Sequence, residues 1–251
     1  MKDSVLTIVE NEPIARDVRR MTLRGNTDPV WPGQFVNLRL PGFYLRRPIS
    51  ICDAREDRLT LIYKIVGEGT AAMSALSAGD TLQVLIGLGN GYDLSLAGDQ
   101  PLLLGGGVGV PPLYLLARKL RDAGKDVQVV LGFNAADDVF YPDAFAALGC
   151  RVAVTTADGS FGRKGFVTDA LPEAYSYFYT CGPLPMLRAV KEYAIRENLP
   201  CYVSMEERMA CGIGACLACV CRTTETDAHS NVRNRRICKD GPVFEAREVE
   251  L

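Results

Sequence analysis

Histidine is almost missing from this chain of 251 residues: His229 stands alone, in the polar stretch from Thr223 to Asn234. A metal site built on several imidazoles is excluded, and a Ser/His/Asp triad lacks a well-placed base. Net charge is nearly absent too, with 28 Lys and Arg against 30 Asp and Glu, which argues against a nucleic-acid partner. Nor is there a long hydrophobic run. The most apolar stretch, Pro101 to Leu116, is broken by Gly105, Gly106, Gly107, Gly109, Pro111 and Pro112, so no membrane span is expected. The opening MKDSVLTIVE lacks the basic start and apolar run of a secretory signal, and the expected location is cytoplasmic.

What the chain has in quantity is cysteine, nine in all, and in a reducing compartment clustered cysteines point to metal or redox chemistry rather than disulfides. Cys211, Cys216 and Cys219 form C-x4-C-x2-C, and Cys238 follows at a distance. That is the plant-type spacing for a [2Fe-2S] cluster. Gly212 and Gly214 allow a tight loop to wrap three thiolates while backbone N–H groups point at sulfur, and the remote cysteine closes the set. A structural zinc site is the alternative, although zinc knuckles favour two short pairs and the first gap here is four residues. Cys221, two positions after Cys219, is either a competing ligand or a small buried residue on the next strand. Cys52, Cys150 and Cys201 stand in apolar, strand-like contexts and are expected in the core.

The texture changes twice along the chain. Residues 1–98 read as short strands (VLTIVE, VRRMTL, QFVNLRL, ISICD, LTLIYKIV, TLQVLIG) parted by turn signals, the pattern of an antiparallel β-barrel, with one helical candidate at Thr70–Leu76. Residues 99–200 alternate strand and helix, which implies an α/β domain with a parallel sheet. In its last helix Leu187, Val190 and Ala194 share one face, with Arg188, Lys191 and Glu192 opposite. Residues 201–251 form a small, loop-rich, cysteine-rich third domain, so the expected fold class is multidomain.

Two segments suit nucleotides. Gly105, Gly107 and Gly109 lie between a buried strand and a helix that begins with prolines, where glycine backbone and a helix N-terminus can receive a pyrophosphate; a tight packing turn is the alternative. The next strand ends in Asn134–Asp138, with two carboxylates where a 2′-phosphate would need Arg or Lys, which favours NAD over NADP. Cys181 ends a further strand at the ligand-binding edge of such a sheet. In the barrel, Arg46-Arg47-Pro48-Ile49-Ser50 brings guanidinium groups and a hydroxyl together, and Tyr63-Lys64 leads into Gly67-Glu68-Gly69-Thr70 at a second helix start. Two phosphate-friendly segments beside a nucleotide-binding sheet suggest a second bound nucleotide.

In the order RRPISI, GNGYDL, GGGVGVPPL, CGPLPM, MACGIGACLACVC and ICKDGPVF, the whole chain resembles the ferredoxin-reductase-like flavoproteins. More closely it resembles the electron-transfer subunits of class 1B dihydroorotate dehydrogenases. Ile49 takes the place of the aromatic in the R-x-Y-S motif of many relatives. The resemblance implies FAD held by Arg47, Pro48, Ile49, Ser50, Lys64, Ile65, Val66, Gly69 and Thr70, with NAD near Gly105, Gly107, Gly109 and Cys181. It implies a [2Fe-2S] cluster on Cys211, Cys216, Cys219 and Cys238. It further implies a heterotetramer, two copies of this chain with two of an FMN-containing catalytic subunit that oxidises dihydroorotate to orotate in pyrimidine synthesis. Electrons would pass from FMN through the cluster and FAD to NAD+, with no side chain of this chain needed as a general acid or base. The cysteine-rich segment should then face the partner, with an apolar patch near Met209–Leu217 covered in the complex.

Overall fold

The first strands are β1 (Lys2–Ala15), β2 (Val18–Arg24), β3 (Phe35–Arg39), β4 (Arg47–Arg55), β5 (Arg58–Lys64) and, after the short helix α1 (Glu68–Ser74), β6 (Thr81–Leu88). They close into a barrel in the order β1-β2-β5-β4-β3-β6, each pair antiparallel. A strand turns alternate side chains to opposite faces, so every second residue can enter a shared interior. In β6 Leu82, Val84, Ile86 and Leu88 are the buried positions, and the first three join Leu6, Met21, Val36, Leu38, Leu59 and Leu61 inside the barrel. The computed structural model describes residues 1–27, 30–226 and 231–251; His229 lies outside them.

The next segment comprises β7 (Pro101–Gly106), α2 (Pro111–Asp122), β8 (Gln128–Phe133), α3 (Pro142–Ala147), β9 (Arg151–Thr156), β10 (Arg163–Lys164), β11 (Tyr177–Cys181), α4 (Leu184–Arg196) and β12 (Cys201–Ser204). All six residues of β7 are buried, as in a parallel strand covered on both faces. The cover is α2, whose Leu113, Leu116, Ala117 and Leu120 join one core, and α4, whose Val190 and Ala194 join the other. The face read from the sequence of α4 is the buried one: Leu187, Val190 and Ala194. Helix α2 also ties sheet to barrel, because Arg118 donates to Asp53 Oδ1 at 2.7 Å and to the Ala54 carbonyl at 2.8 Å.

The remaining elements are β13 (Val220–Arg222), β14 (Asn234–Arg236), α5 (Ile237–Asp240) and β15 (Val243–Glu245). The large sheet runs β10-β9-β8-β7-β11-β12-β15, parallel except for β15 against β12. A cut between residues 200 and 201 therefore falls inside one hydrogen-bonded sheet. β12 is a buried apolar strand that continues the strand-helix alternation, and β15 adds to its edge. The cysteine loop, the β13–β14 hairpin and α5 lie outside that sheet. Among the described residues no helix is long and apolar enough to cross a membrane.

Candidate functional site

The cysteine loop is organised by its own amides. Gly212 and Gly214 take φ of +69° and +83°, a backbone region that glycine enters without a β-carbon penalty, and this turns successive N–H groups inward. Ile213 and Cys216 donate backbone N–H to Cys211 Sγ at 3.5 and 3.4 Å, and Cys211 N–H donates to Cys216 Sγ at 3.5 Å. Gly214 N–H reaches Cys238 Sγ at 3.1 Å, and Cys238 N–H reaches Cys219 Sγ at 3.4 Å. Each of the four sulfurs of the sequence pattern thus accepts at least one amide. Cys221 behaves otherwise: it is buried on β13 and its thiol donates to the Arg235 carbonyl at 3.5 Å. Its surroundings are those of a packed strand residue.

The thiols fall into two pairs, Cys211 with Cys216 near the surface and Cys219 with Cys238 in the interior. Among the described residues no three Cys, His, Asp or Glu side chains gather to share one metal ion. A [2Fe-2S] centre would be held by four thiolates, and the four cysteine sulfurs of the pattern each accept an amide here. The donor set fits the cluster. Burial raises the Cys211 thiol, but the N–H bonds from Ile213 and Cys216 outweigh it and bring it down to about 6. Cys238 is pushed up to about 12 by burial and by the adjoining Cys219 thiol, against the Gly214 N–H. Ligation requires thiolates, so loading the centre releases protons.

One cavity lies beside this loop and a second at the edge of the sheet. The larger, about 1020 Å³, is walled by the barrel at Phe43–Pro48, the start of α1 at Val66–Thr70, the start of α4 at Gly182–Leu184 and the segment Met205–Met209. Of the flavin residues expected from the resemblance, Arg47, Pro48, Val66, Gly69 and Thr70 line it. Arg47 lies across Gly69, where a β-carbon would stand 2.0 Å from its Nε, and its guanidinium sits 4.7 Å from the Phe43 ring centroid. Thr70 Oγ1 accepts from the N–H groups of Val66 and Gly67 at 2.9 and 3.2 Å and so fixes the loop entering α1. A guanidinium over glycine backbone in a dinucleotide-sized cleft suits a pyrophosphate. Ile49 and Ile65 pack instead against the barrel core, and Ser50 pairs with Phe35 in the barrel wall.

The smaller cavity, about 440 Å³, opens at the carboxyl edge of the parallel sheet and takes in Gly106, Gly107, Asn134, Asp138, Thr155 and Lys64, the last expected at the flavin. Gly107 faces it with no atom within 4 Å of a β-carbon position. Gly105 and Gly109 are pressed against protein: their β-carbons would lie 3.0 Å from the Val110 side chain and 2.3 Å from the Cys181 carbonyl oxygen. Asp138 is held by Arg16 through contacts of 2.8 to 3.0 Å. Burial pushes the Cys181 thiol up to about 12, with a Ser204 hydrogen bond opposing. Pro183 lines both cavities, and Met209, two residues before Cys211, lines the larger.

Residues 206–250 match the iron-sulfur cluster binding domain of dihydroorotate dehydrogenase B, and residues 103–192 match the oxidoreductase NAD-binding domain. The chain is 45% identical over 267 aligned residues to the dihydroorotate dehydrogenase B (NAD(+)), electron transfer subunit of Fusobacterium nucleatum, covering all of both chains. It is 45% identical to the subunit of the same name from Bacillus pumilus, covering all of this chain and 99% of that one. This chain belongs to the family of dihydroorotate dehydrogenase B electron transfer subunits. As one subunit of that oxidoreductase it works with a catalytic partner subunit. Among solved structures, that of an NADH-dependent reduced ferredoxin-NADP oxidoreductase superposes with a TM-score of 0.87 at 32% identity, over 98% of this chain and 90% of its own. A cytochrome P450 reductase of Amycolatopsis superposes at 0.67 with 26% identity, over 79% of this chain and 67% of its own. With both domains matched on a flavoreductase fold, the cofactors of this electron transfer subunit are a [2Fe-2S] cluster, FAD and NAD.

Several lining residues of this electron transfer subunit had no signal in the sequence. Phe43, Tyr44, Leu184 and Glu206–Met209 meet at the larger cavity from separate segments, and only packing brings them together. The apolar patch expected near Met209–Leu217 is narrower than the sequence suggested. Met209 packs against the second core, while Ile213 and Leu217 are 42% and 74% exposed on the cluster loop.

Proposed function

We propose that this chain accepts electrons at Cys211, Cys216, Cys219 and Cys238 from the FMN of a dihydroorotate-oxidising catalytic subunit and delivers them to NAD+ at the carboxyl edge of its sheet. The observation that carries this is continuity. The cluster loop runs directly from Met209 in the wall of the larger cavity, and that cavity shares Pro183 with the smaller one. When bound, the cluster supplies one-electron transfer and the flavin couples it to hydride transfer.

The protein's part is binding and orientation. Arg47 and the Val66–Thr70 loop hold the flavin pyrophosphate, and Pro48 forms the wall beside them. Gly107 lets the nicotinamide dinucleotide approach backbone, with Asp138, fixed by Arg16, near the adenosine ribose. Five amides, four in the cluster loop and that of Cys238 on α5, stabilise negative charge on sulfur. Exposed Ile213 and Leu217 suit burial against the partner, in an assembly of two copies of each subunit. Nine free thiols suit a reducing cytoplasm.

The test is reconstitution. Mixed with a catalytic subunit of this family, the chain should reduce NAD+ at the expense of dihydroorotate, and neither subunit should do so alone. The structural likeness to an NADH-dependent ferredoxin-NADP oxidoreductase favours a second reading, a reductase serving a ferredoxin. Activity with ferredoxin and none with the catalytic subunit would overturn the first reading in favour of the second.

A further inference from the structure

Arg236 closes β14 where it enters α5, and its guanidinium does two things at once. Nη1 donates to the carbonyl of Gly214 at 3.0 Å, while Nε and Nη2 fork onto the two oxygens of Asp240, each at 3.1 Å. The backbone N–H of Arg236 adds a 2.8 Å bond to the same carboxylate. Gly214 is also the residue whose N–H donates to Cys238 Sγ at 3.1 Å, shorter than the other amide-to-sulfur contacts of the loop. It is therefore held from both sides, by sulfur at its N–H and by guanidinium at its carbonyl. The next residues bind the same corner. Ile237 N–H donates to the Cys219 carbonyl at 2.8 Å, Cys238 N–H reaches Cys219 Sγ, and the stem of Lys239 lies on Gly214, where a β-carbon would be 2.8 Å away.

We infer that Arg236 and Asp240 form a charge pair that positions the Gly214 amide on Cys238 and tunes the reduction potential of the centre held by Cys211, Cys216, Cys219 and Cys238. The inference rests on the reading of Cys211, Cys216, Cys219 and Cys238 as cluster ligands. Its physical basis is that the potential of an iron-sulfur centre follows net charge, hydrogen bonds to sulfur and solvent exposure. Reduction adds negative charge. A guanidinium beside the inner thiol pair favours the reduced form, and a carboxylate beside that guanidinium offsets part of the effect. The two side chains are only 38% and 30% exposed, so solvent leaves part of this field unscreened. A fork matched to both carboxylate oxygens with a donor left for a carbonyl is a task for Arg, which Lys cannot reproduce.

The test uses the cluster- and flavin-loaded chain with its catalytic partner, titrated potentiometrically with the cluster followed by EPR and the flavin by absorbance. Arg236→Gln should lower the cluster midpoint potential, Asp240→Asn should raise it, and Arg236→Lys should fall between wild type and Arg236→Gln, with the flavin potential unmoved in all three. Opposite signs are the signature, because a merely structural pair would weaken cluster retention in both variants without moving the potentials apart. If Arg236→Gln retains no iron, Asp240→Asn and Arg236→Lys carry the comparison. Shifts of the same sign, or none, overturn the inference. Absence of iron and sulfide from the wild-type chain overturns the ligand reading itself, and the inference with it.

Discussion

Gly109 and Cys181 meet backbone to backbone: a β-carbon on Gly109 would stand 2.3 Å from the Cys181 carbonyl oxygen, far inside contact distance. This approach seats the glycine turn after β7 against the end of β11 and leaves Gly107 facing the nucleotide cleft. The two glycines should therefore fail differently. Gly109→Ala forces the two strand ends apart and should cost about 1–3 kcal/mol of stability. Gly107→Ala, at φ +50°, carries about 1–2 kcal/mol of backbone strain of its own and also sets its methyl in the open cleft, so this variant alone should weaken NADH, roughly 5- to 150-fold. Urea melts and NADH titrations of both variants make the comparison; equal effects on both readouts would refute the division of labour.

The hydrogen bonds at Cys219 and Cys221 differ: the Cys219 sulfur accepts an amide, whereas the Cys221 thiol donates to a carbonyl. Cys219→Ser should bleach or alter the cluster spectrum, whereas Cys221→Ser should leave it intact, because the Cys221 thiol already serves the Arg235 carbonyl. Visible absorbance with iron and sulfide analysis reads the outcome. Loss of the cluster from the Cys221 variant alone would reverse the assignment.

Arg47 lines the larger cavity and is proposed above to hold the flavin pyrophosphate. Replacing it with Met keeps the stem and removes the charge. A hydrogen bond to a charged group contributes about 1.5–3 kcal/mol, so Arg47→Met should weaken flavin retention roughly 10- to 150-fold while NADH affinity changes little. Equilibrium flavin binding to the deflavinated chain measures it.

Cys181 supplies a pH prediction. Its thiol is raised from the ordinary 9.0 to about 12. The folded state holds this proton more tightly than the unfolded chain, so the contribution to stability is intact below pH 9 and is lost as pH rises from 9 toward 12. Between about pH 7 and 10 the thiolate fraction in the folded chain should grow about tenfold per unit with no plateau. Peptide mapping after timed alkylation follows that rate at Cys181. A plateau near pH 9 would show an ordinary thiol.

Much of this was legible in the sequence because the signals are local. Alternation in β6, continuous burial in β7 and the face of α4 each follow from residue order. The spacing of Cys211, Cys216 and Cys219 named the centre. It left Cys219 and Cys221 open, since they are two residues apart and equally able to face one side of an extended segment; what distinguishes their surroundings is the amide of Cys238 on Cys219, 19 residues further on. Nor could spacing tell which glycine of the turn meets ligand, since Gly109 is defined by its distance to β11. Arg236 was invisible because its role depends on Gly214, 22 residues away. The boundary at residue 200 followed a change of texture, whereas hydrogen bonding continues across it through β12 and β15.

A nicotinamide site, a flavin and a [2Fe-2S] centre in electronic contact within one chain should be reduced together. Anaerobic titration of the purified, cofactor-loaded chain with NADH, followed by absorbance and low-temperature EPR, tests it most directly. The flavin bands should bleach together with the rise of a reduced [2Fe-2S] signal that is lost in Cys219→Ser. Flavin bleaching without a cluster signal, or zinc in place of iron on analysis, would contradict it.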